Sequence, residues 1–478
     1  MTRDSEKGKY TTPEGSPVIE YAASFACCMI IFGVGTIAGF NSPAVSILIS
    51  PDSPIPLSGT QASTLAAVVG FGHMIAPMVT VYLVDKLGRK ASLLASTIPV
   101  AISFGIVAIA ESYIVLLIGR LIGGLALGLG FAVVPIYLGE IASAKLRGAL
   151  GTLTGSSMSI GLLFSYVIIP YLNIRRSAYV EFGIAVATAI GVCFVPESPY
   201  FLAVKNKFEE AEAVLEKLRG KTDVTEELEL VKETVKKQSE VSRKKNEGET
   251  GAAPRKFNDL RELFGKRANR RAFLINSLFI TVFQTGGYTV VLVYGSVILR
   301  ALKITIDENF ASIIIAVIPL CANIVASFII DKLGRRPLVF VSGVLCGTCT
   351  LIISVYFFLM EYKNIDVSAY SNVILFAVFS FVTAFNIGLM PVQFVVVSET
   401  LASEIKALAS LLVGVIGGLL ATLALKFYLM TAITWNLGHS VPFLGFSILN
   451  YACTALILKY LPETKGKTFI EIQRELSA

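Results

Sequence analysis

Charge is what this sequence has least of. Asp, Glu, Lys and Arg make up 16% of 478 residues against 54% apolar ones, and they are almost missing from runs of about 20 residues, the length that crosses a bilayer core of ~30 Å. That scarcity excludes a water-soluble globule. Histidine occurs twice, as His73 and His439 in different halves of the chain, so neither a histidine metal cluster nor a Ser-His-Asp triad can be assembled. The seven cysteines (Cys27, Cys28, Cys193, Cys321, Cys346, Cys349, Cys453) all fall in apolar runs. They read as small hydrophobes and not as a disulfide framework, and Cys346-Gly-Thr-Cys349 lacks the second ligand pair of a metal site. No Asn-x-Ser/Thr acceptor occurs, so glycosylation gives no guide to the compartment. Paired carboxylates and Gly-rich phosphate loops in a cleft context are also missing, and the sequence predicts no enzyme, cofactor or metal.

What is present is apolar run after apolar run. About twelve spans are expected, near 22–48, 61–84, 92–110, 113–138, 149–172 and 178–195, then 272–298, 310–330, 337–360, 369–397, 408–430 and 440–460. They must be helices, because in hydrocarbon each backbone N–H and C=O has to find its partner within its own segment. The fold class is therefore an all-α membrane protein. Its expected divisions are an N-terminal tail (1–21), a six-helix half (22–203), a linker (204–271), a second six-helix half (272–461) and a C-terminal tail (462–478).

The polar first twenty residues show no cleavable signal peptide. Lys86, Arg89, Lys90, Lys145, Arg147, Lys332, Arg335, Arg336, Lys465 and Lys467 fall in links on one side, whereas the opposite links hold only a few, such as Arg175, Arg176, Arg300 and Lys363. Both termini are thus expected in the cytoplasm. The net charge of +7 is split among short loops, which excludes nucleic acid as a partner. In the linker, mixed charges from Glu209 to Lys237 interleave with Ala211, Val214, Leu215 and Leu218 at helical spacing. Short amphipathic helices are expected there, with a hinge at 246–254; they serve either as a solvated connection or as a latch on the inner gate.

Three phrases occur twice in the same order: Asp85-Lys-Leu-Gly-Arg-Lys90 and Asp331-Lys-Leu-Gly-Arg-Arg336; Glu140 with Arg147 and Glu399 with Lys406; and Pro196-Glu197-Ser198 and Pro462-Glu463-Thr464. One half-unit has been duplicated, a common plan of secondary transporters. Together with Gly119-Arg120-Leu-Ile-Gly-Gly124, Val134-Pro-Ile-Tyr-Leu-Gly-Glu140 and Leu146-Arg-Gly-Ala-Leu-Gly-Thr152, these phrases resemble the sugar-porter family of the major facilitator superfamily over nearly the whole chain. Ser42-Pro43 after Gly39-Phe40 is similar to insect trehalose-transporter members and the related animal glucose facilitators.

The resemblance implies a carrier that works by alternating access. It implies gate clusters of Asp85, Arg89, Glu140 and Arg147 in one half and of Asp331, Arg335, Glu399 and Lys406 in the other. Lys406 stands where the family usually has Arg, which removes bidentate pairing. It also sets Asn41 opposite Arg120, where proton-coupled relatives carry Asp. Since no acid occurs between Ala22 and Ile49, a uniporter is expected.

For substrate contacts the resemblance points to Gln284, Thr289, Asn386 and Gln393, with Tyr294, Phe385 and Phe394 as apolar walls and Asn41 nearby. Several family contacts are replaced: Phe283 stands for a Gln, Thr289 for Asn, Phe394 for Trp and Gly155 for Gln. Leu389 and Gln393 replace prolines and Gly417-Gly418 replaces Asn-Trp, so the flexible point of the second half is expected in the eleventh span. The expected partners are a sugar and the bilayer, the unit a monomer, the location the plasma membrane. Another neutral solute or polyol, proton symport and a transport-poor sensor stand as alternatives.

Overall fold

The computed structural model describes residues 18–143, 147–247, 261, 263–302, 306–401, 403–465, 467 and 469–477. It is helical throughout these residues. In the first half α1 spans Val18–Ile49, α2 Gly59–Lys86, α3 Arg89–Ile109, α4 Tyr113–Ile141 and α5 Arg147–Cys193. Three short helices follow: α6 (Pro199–Val204), α7 (Phe208–Arg219) and α8 (Thr225–Glu247). The second half holds α9 (Arg267–Thr285), α10 (Tyr288–Ala301), α11 (Glu308–Leu333), α12 (Arg335–Glu361), α13 (Ser371–Ala384), α14 (Met390–Thr400), α15 (Ser403–Leu429), α16 (Ser440–Tyr460) and the terminal α17 (Phe469–Ser477).

Among the described residues eleven helical stretches are long and apolar enough to cross a bilayer, one of them running over Leu153–Cys193. At 47 residues and 1.5 Å per residue, α5 would be about 70 Å long, more than twice the hydrocarbon core. It is two spans in sequence. The backbone leaves helical geometry at Asn173 (φ 65, ψ 167), and the Asn173 Oδ1 accepts from the Arg176 N–H at 3.1 Å to cap the second arm. α9 and α10 make the opposite case, one span in two pieces. With these two corrections the bundle has twelve spans, six before the short helices and six after.

Close approach of α1 to α5 is made by glycine. A Cβ on Gly35 would lie 2.2 Å from the Met158 carbonyl oxygen, and one on Gly39 2.6 Å from that of Leu162. Four residues apart, the two present one bare stripe, and without a water-driven hydrophobic effect between spans such backbone contact is what dispersion can use. Gly417 and Gly418 do the same work: α15 runs unbroken through them, and Gly418 lies against Gly70 and Met74 of α2. The expected flexible point at Gly417-Gly418 is a continuous helix; irregular π-type turns lie instead at Phe385–Leu389 in the tenth span, just before the retained Pro391, and at Met430–Thr434 at the far end of the eleventh.

The end carrying the repeated loops is here the basic end, and the opposite one the far end. At the basic end α7 docks on the bundle through Leu218, which joins Ala23, Cys27 and Ile141 in one apolar cluster. Arg219 sits beside it, donating to Glu20 Oε2 of α1 at 2.8 Å, to Glu227 Oε2 of α8 at 2.9 Å and to the Ile141 carbonyl at 2.9 Å. Glu20 Oε1 in turn accepts from the Ser143 N–H at 2.7 Å. The short helices are thus fastened to the first half and are not a free tether. Most of the expected hinge, 246–254, lies outside the described residues, as does residue 1–17 of the tail.

The glycine stripe can be tested directly. Gly35→Val forces two backbones apart, and overpacking of this kind costs typically about 1–3 kcal/mol or more. A clearly lower thermal unfolding midpoint in detergent is the expected result, and an unchanged midpoint would mean that α1 and α5 can separate freely.

Candidate functional site

At the basic end the duplicated phrases meet as two matching constellations. Gly88 begins the turn into α3 with φ +94, and a Cβ there would come within 2.5 Å of Glu197 Oε2. The Glu197 carboxylate accepts from the Arg89 and Lys90 backbone N–H groups at 2.8 and 3.1 Å, so a residue from the end of the sixth span caps the third. Arg89 grips Glu140 through Nε and Nη2 at 2.9 and 2.8 Å and lies 5.1 Å over the Phe201 ring of α6. In the second half Gly334 has φ +87. Glu463 there accepts from the N–H groups of Arg335, Arg336 and Lys465, each at 3.0 Å, and Arg335 Nη2 donates to Glu399 at 2.9 Å.

Glu197 and Glu463 were legible as part of a repeated phrase, but their capping role was missed; carboxylates favour helix N-termini for the dipole and the free N–H groups there. Of the other expected gate residues, Asp85 is exposed and pairs with no described residue. The side chains of Arg147, Asp331 and Lys406 lie outside the described residues. The bonds given above each join helices of one half.

Inside the first half Arg120 is 0% exposed. Its Nη2 donates to the Ile37 carbonyl at 2.7 Å and to Asn41 Oδ1 at 3.1 Å, and the guanidinium lies 4.6 Å from the Phe40 ring centroid. A further buried polar group is one the sequence reading passed over: Glu181, 2% exposed in the second arm of α5. Glu181 Oε1 accepts from the Ser165 hydroxyl, and Oε2 has no hydrogen-bond partner among the described residues. It lines a small cavity with Thr36, Thr97 and Thr188. The signal was available, since a single acid in an apolar span is expensive and marks function by default.

The seventh span breaks at Gly286-Gly287, where Gly287 takes φ +99. Three side chains staple the break. Thr289 donates to Gln284 Oε1 at 2.8 Å across it. The Tyr288 hydroxyl donates to Asn386 Oδ1 at 3.0 Å, and Asn450 Nδ2 to the Gly286 carbonyl at 2.7 Å. Around it Tyr288 and Phe385 stack at 4.2 Å and 10°, with Phe283 tilted against both.

The expected substrate residues fall into three groups. Gln284 and Gln393 are each 9% exposed, and the Gln284 Nε2 and the Gln393 amide have no protein partner among the described residues. Asn386 and Tyr294 are spent on protein, Asn386 Nδ2 on the Val382 carbonyl at 2.8 Å and the Tyr294 hydroxyl on the Leu425 carbonyl at 3.1 Å. Phe394 is 59% exposed, unlike its neighbour Gln393.

The two halves touch at the far end. Ser42 of α1 accepts from the Ser296 N–H of α10 at 3.0 Å, and the Ser296 hydroxyl lies 3.0 Å from that of Ser42 and 3.1 Å from that of Ser312. The Tyr166 hydroxyl of α5 donates to the Leu292 carbonyl. Thr422 of α15 donates to the Ala67 carbonyl at 3.3 Å.

A family model described as sugar (and other) transporter matches residues 19–476. Among the most similar proteins is the facilitated trehalose transporter of Bombyx mori, 28% identical over 500 residues and covering 100% of this chain and 93% of the relative. A sugar transporter of Arabidopsis thaliana, ERD6-like 6, is 29% identical over 472 residues, covering 94% and 90%. Among solved structures the E. coli xylose transporter in an inward-open conformation superposes with TM-score 0.72 at 21% identity, covering 96% of this chain and 99% of that one; at that identity the likeness is one of fold.

The Glu463 cap gives a pH signature. Burial alone would raise Glu463, but the N–H donors of Arg335, Lys465, Arg336 and Thr464 outweigh it and hold the group below its ordinary 4.5. A depressed carboxylate stabilises above its ordinary pKa and loses that contribution as pH falls through the depressed one. The unfolding midpoint of Glu463→Gln should thus lie below that of the native chain at neutral pH and converge with it on acidification below 4.5; a gap independent of pH would refute the capping role.

Proposed function

The chain belongs to the sugar (and other) transporter family, and from that premise we propose that it is a facilitative carrier for a neutral polyhydroxylated solute such as glucose or trehalose, worked by alternating access between its two halves. The observation that carries the solute class is the pairing of Gln284 with Thr289 at the broken span, with Gln284 Nε2 left over. Neutral amide and hydroxyl groups in a bundle of apolar and aromatic side chains suit a ring that offers many hydroxyls and no charge. The trehalose and sugar transporters among its relatives support the same class.

On this reading Gln284, Thr289 and Gln393 bind the solute. Tyr288, Phe385 and Asn386 shape the wall behind them. Tyr294 belongs to the far-end closure, and Asn41 with Arg120 forms the polar floor of the first half. The constellations around Arg89 and Arg335 stiffen each half at the basic end, which is the cytoplasmic end in this proposal, with a monomer in the plasma membrane as the working form. Ion pairs at half-wet surfaces contribute about 0–1 kcal/mol each, so the stiffening comes from each network and not from a single pair.

Coupling follows from what faces Arg120. The partner on α1 is the neutral Asn41, which favours uniport. Glu181 favours a second reading, proton symport, because a buried carboxyl with one unmet oxygen beside an arginine is a group that can hold a proton in one state and release it in the other.

Two measurements separate these claims. Loss of one hydrogen bond to a buried substrate hydroxyl costs roughly 1–3 kcal/mol, so Gln284→Ala should weaken sugar affinity about 5- to 150-fold at unchanged surface amount; unchanged affinity would remove it from the site. Uniport requires that sugar inside purified vesicles never exceed the outside concentration, with or without a proton gradient. Accumulation that a protonophore abolishes, and that Glu181→Gln lacks, would establish symport instead.

A further inference from the structure

The last span holds the break of the seventh. Asn450 of α16 is 0% exposed, and its Nδ2 donates to the Gly286 carbonyl at 2.7 Å and to the Phe446 carbonyl at 2.9 Å, which uses both amide hydrogens. Its Oδ1 has no hydrogen-bond partner among the described residues. Burying an unmet amide oxygen is costly in an apolar interior. An apolar side chain would fill the place without that cost, so the amide is accounted for by the carbonyl it meets, which belongs to a helix end that has no water to turn to.

One turn earlier on the same face of α16, Phe446 closes over the other glycine of the break. A Cβ on Gly287 would come within 2.9 Å of the Phe446 ring. Phe446 stacks on Tyr428 of α15 (6.3 Å, 26°), and Tyr428 stacks on Tyr294 of α10 (5.4 Å, 23°). Tyr294 is itself the residue at which α10 departs from helical geometry (φ −120, ψ 20). Two residues on, Ser296 makes the far-end contact with Ser42. A continuous path of contacts therefore runs from the clamp at the base of α10 to the closure near its tip.

We infer that Asn450, seconded by Phe446, is the hinge clamp of the seventh span: it seats the base of α10 so that the helix stands closed against the first half. It is a positioning residue and touches no substrate. With the clamp gone, the Gly286 carbonyl is unmet in the closed arrangement, and states in which α10 has swung away from Ser42 gain population.

The test uses Asn450→Leu in the full chain, in two arms. In the first, Ser296→Cys reports closure: a hydrophilic thiol reagent supplied from the far side, scored above the labelling of the native cysteines, should modify it about fivefold faster or more when Asn450 is Leu. This arm needs no substrate, whereas the second rests on the carrier reading. Because apparent affinity scales with the fraction in the competent state, the sugar KM measured from the far side should fall and that from the basic side should rise. A residue that only supports folding would lower the amount of protein and move neither KM.

Labelling and both KM values within about twofold of the native chain, at normal protein amount, would overturn the clamp. Should Asn450→Leu fold poorly, Phe446→Leu carries the same test with the same signs. Faster labelling in a chain that equilibrates no sugar supports the clamp and counts against the carrier reading alone.

Discussion

The bilayer interior offers a backbone no hydrogen-bond partner, and the rest of this structure follows from how the chain meets that constraint. An unbroken helix meets it automatically, but a carrier needs places where helices bend. Each unmet carbonyl or N–H there costs several kcal/mol in hydrocarbon. At Gly286-Gly287 the Asn450 amide of the twelfth span meets the Gly286 carbonyl and the Thr289 hydroxyl that of Phe283, while the side-chain bonds Thr289–Gln284 and Tyr288–Asn386 brace the break from within the span and from the tenth span. The break is accordingly a defined joint and not a loose one. Asn386, expected as a solute ligand, spends its amide on protein.

The same accounting operates at the basic end with charge added. α3 and α12 each begin on a glycine in a left-handed conformation, and their first N–H groups are met by carboxylates that arrive from more than a hundred residues later, Glu197 and Glu463. Arginines from the same turns hold Glu140 and Glu399. Since every one of these bonds stays within a half, the constellations make two stiff bodies and leave the motion to the surfaces between them. Those surfaces are built for sliding contact: Gly70 against Gly418, and the small hydroxyls of Ser42, Ser296 and Ser312.

How much of this was legible depends on whether a residue announced itself more than once. The twelve spans follow from composition, because twenty apolar letters in a row carry their own message. The loop constellations could be paired from sequence because each phrase recurs in order. Glu181 and Asn450 are single polar letters in apolar runs, and nothing periodic marks them; only the fold shows that one lies by Arg120 and the other under a broken helix. Glycine serves both as a hinge and as a place where backbones touch, and the fold shows the second for Gly418, which meets Gly70 of α2.

Arg120 shows how the two halves came to divide the work. A guanidinium in hydrocarbon is expensive, and here Nη2 finds a carbonyl and an amide and the group lies by an aromatic ring, while Nε and Nη1 have no hydrogen-bond partner among the described residues. Arg120 itself belongs to α4 and its hydrogen-bond partners and aromatic neighbour to α1, so the buried cation binds these two spans together. Together with the glycine stripe between α1 and the first arm of α5, this ties the first half into one block. The second half has no buried cation of that kind at its centre among the described residues. It has a broken seventh span, a wide turn in the tenth and aromatic stacks, which can slide without leaving a charge exposed. The contact that α10 makes across to α1, Ser296 with Ser42, therefore meets a block tied together by its own buried polar groups and glycine stripe.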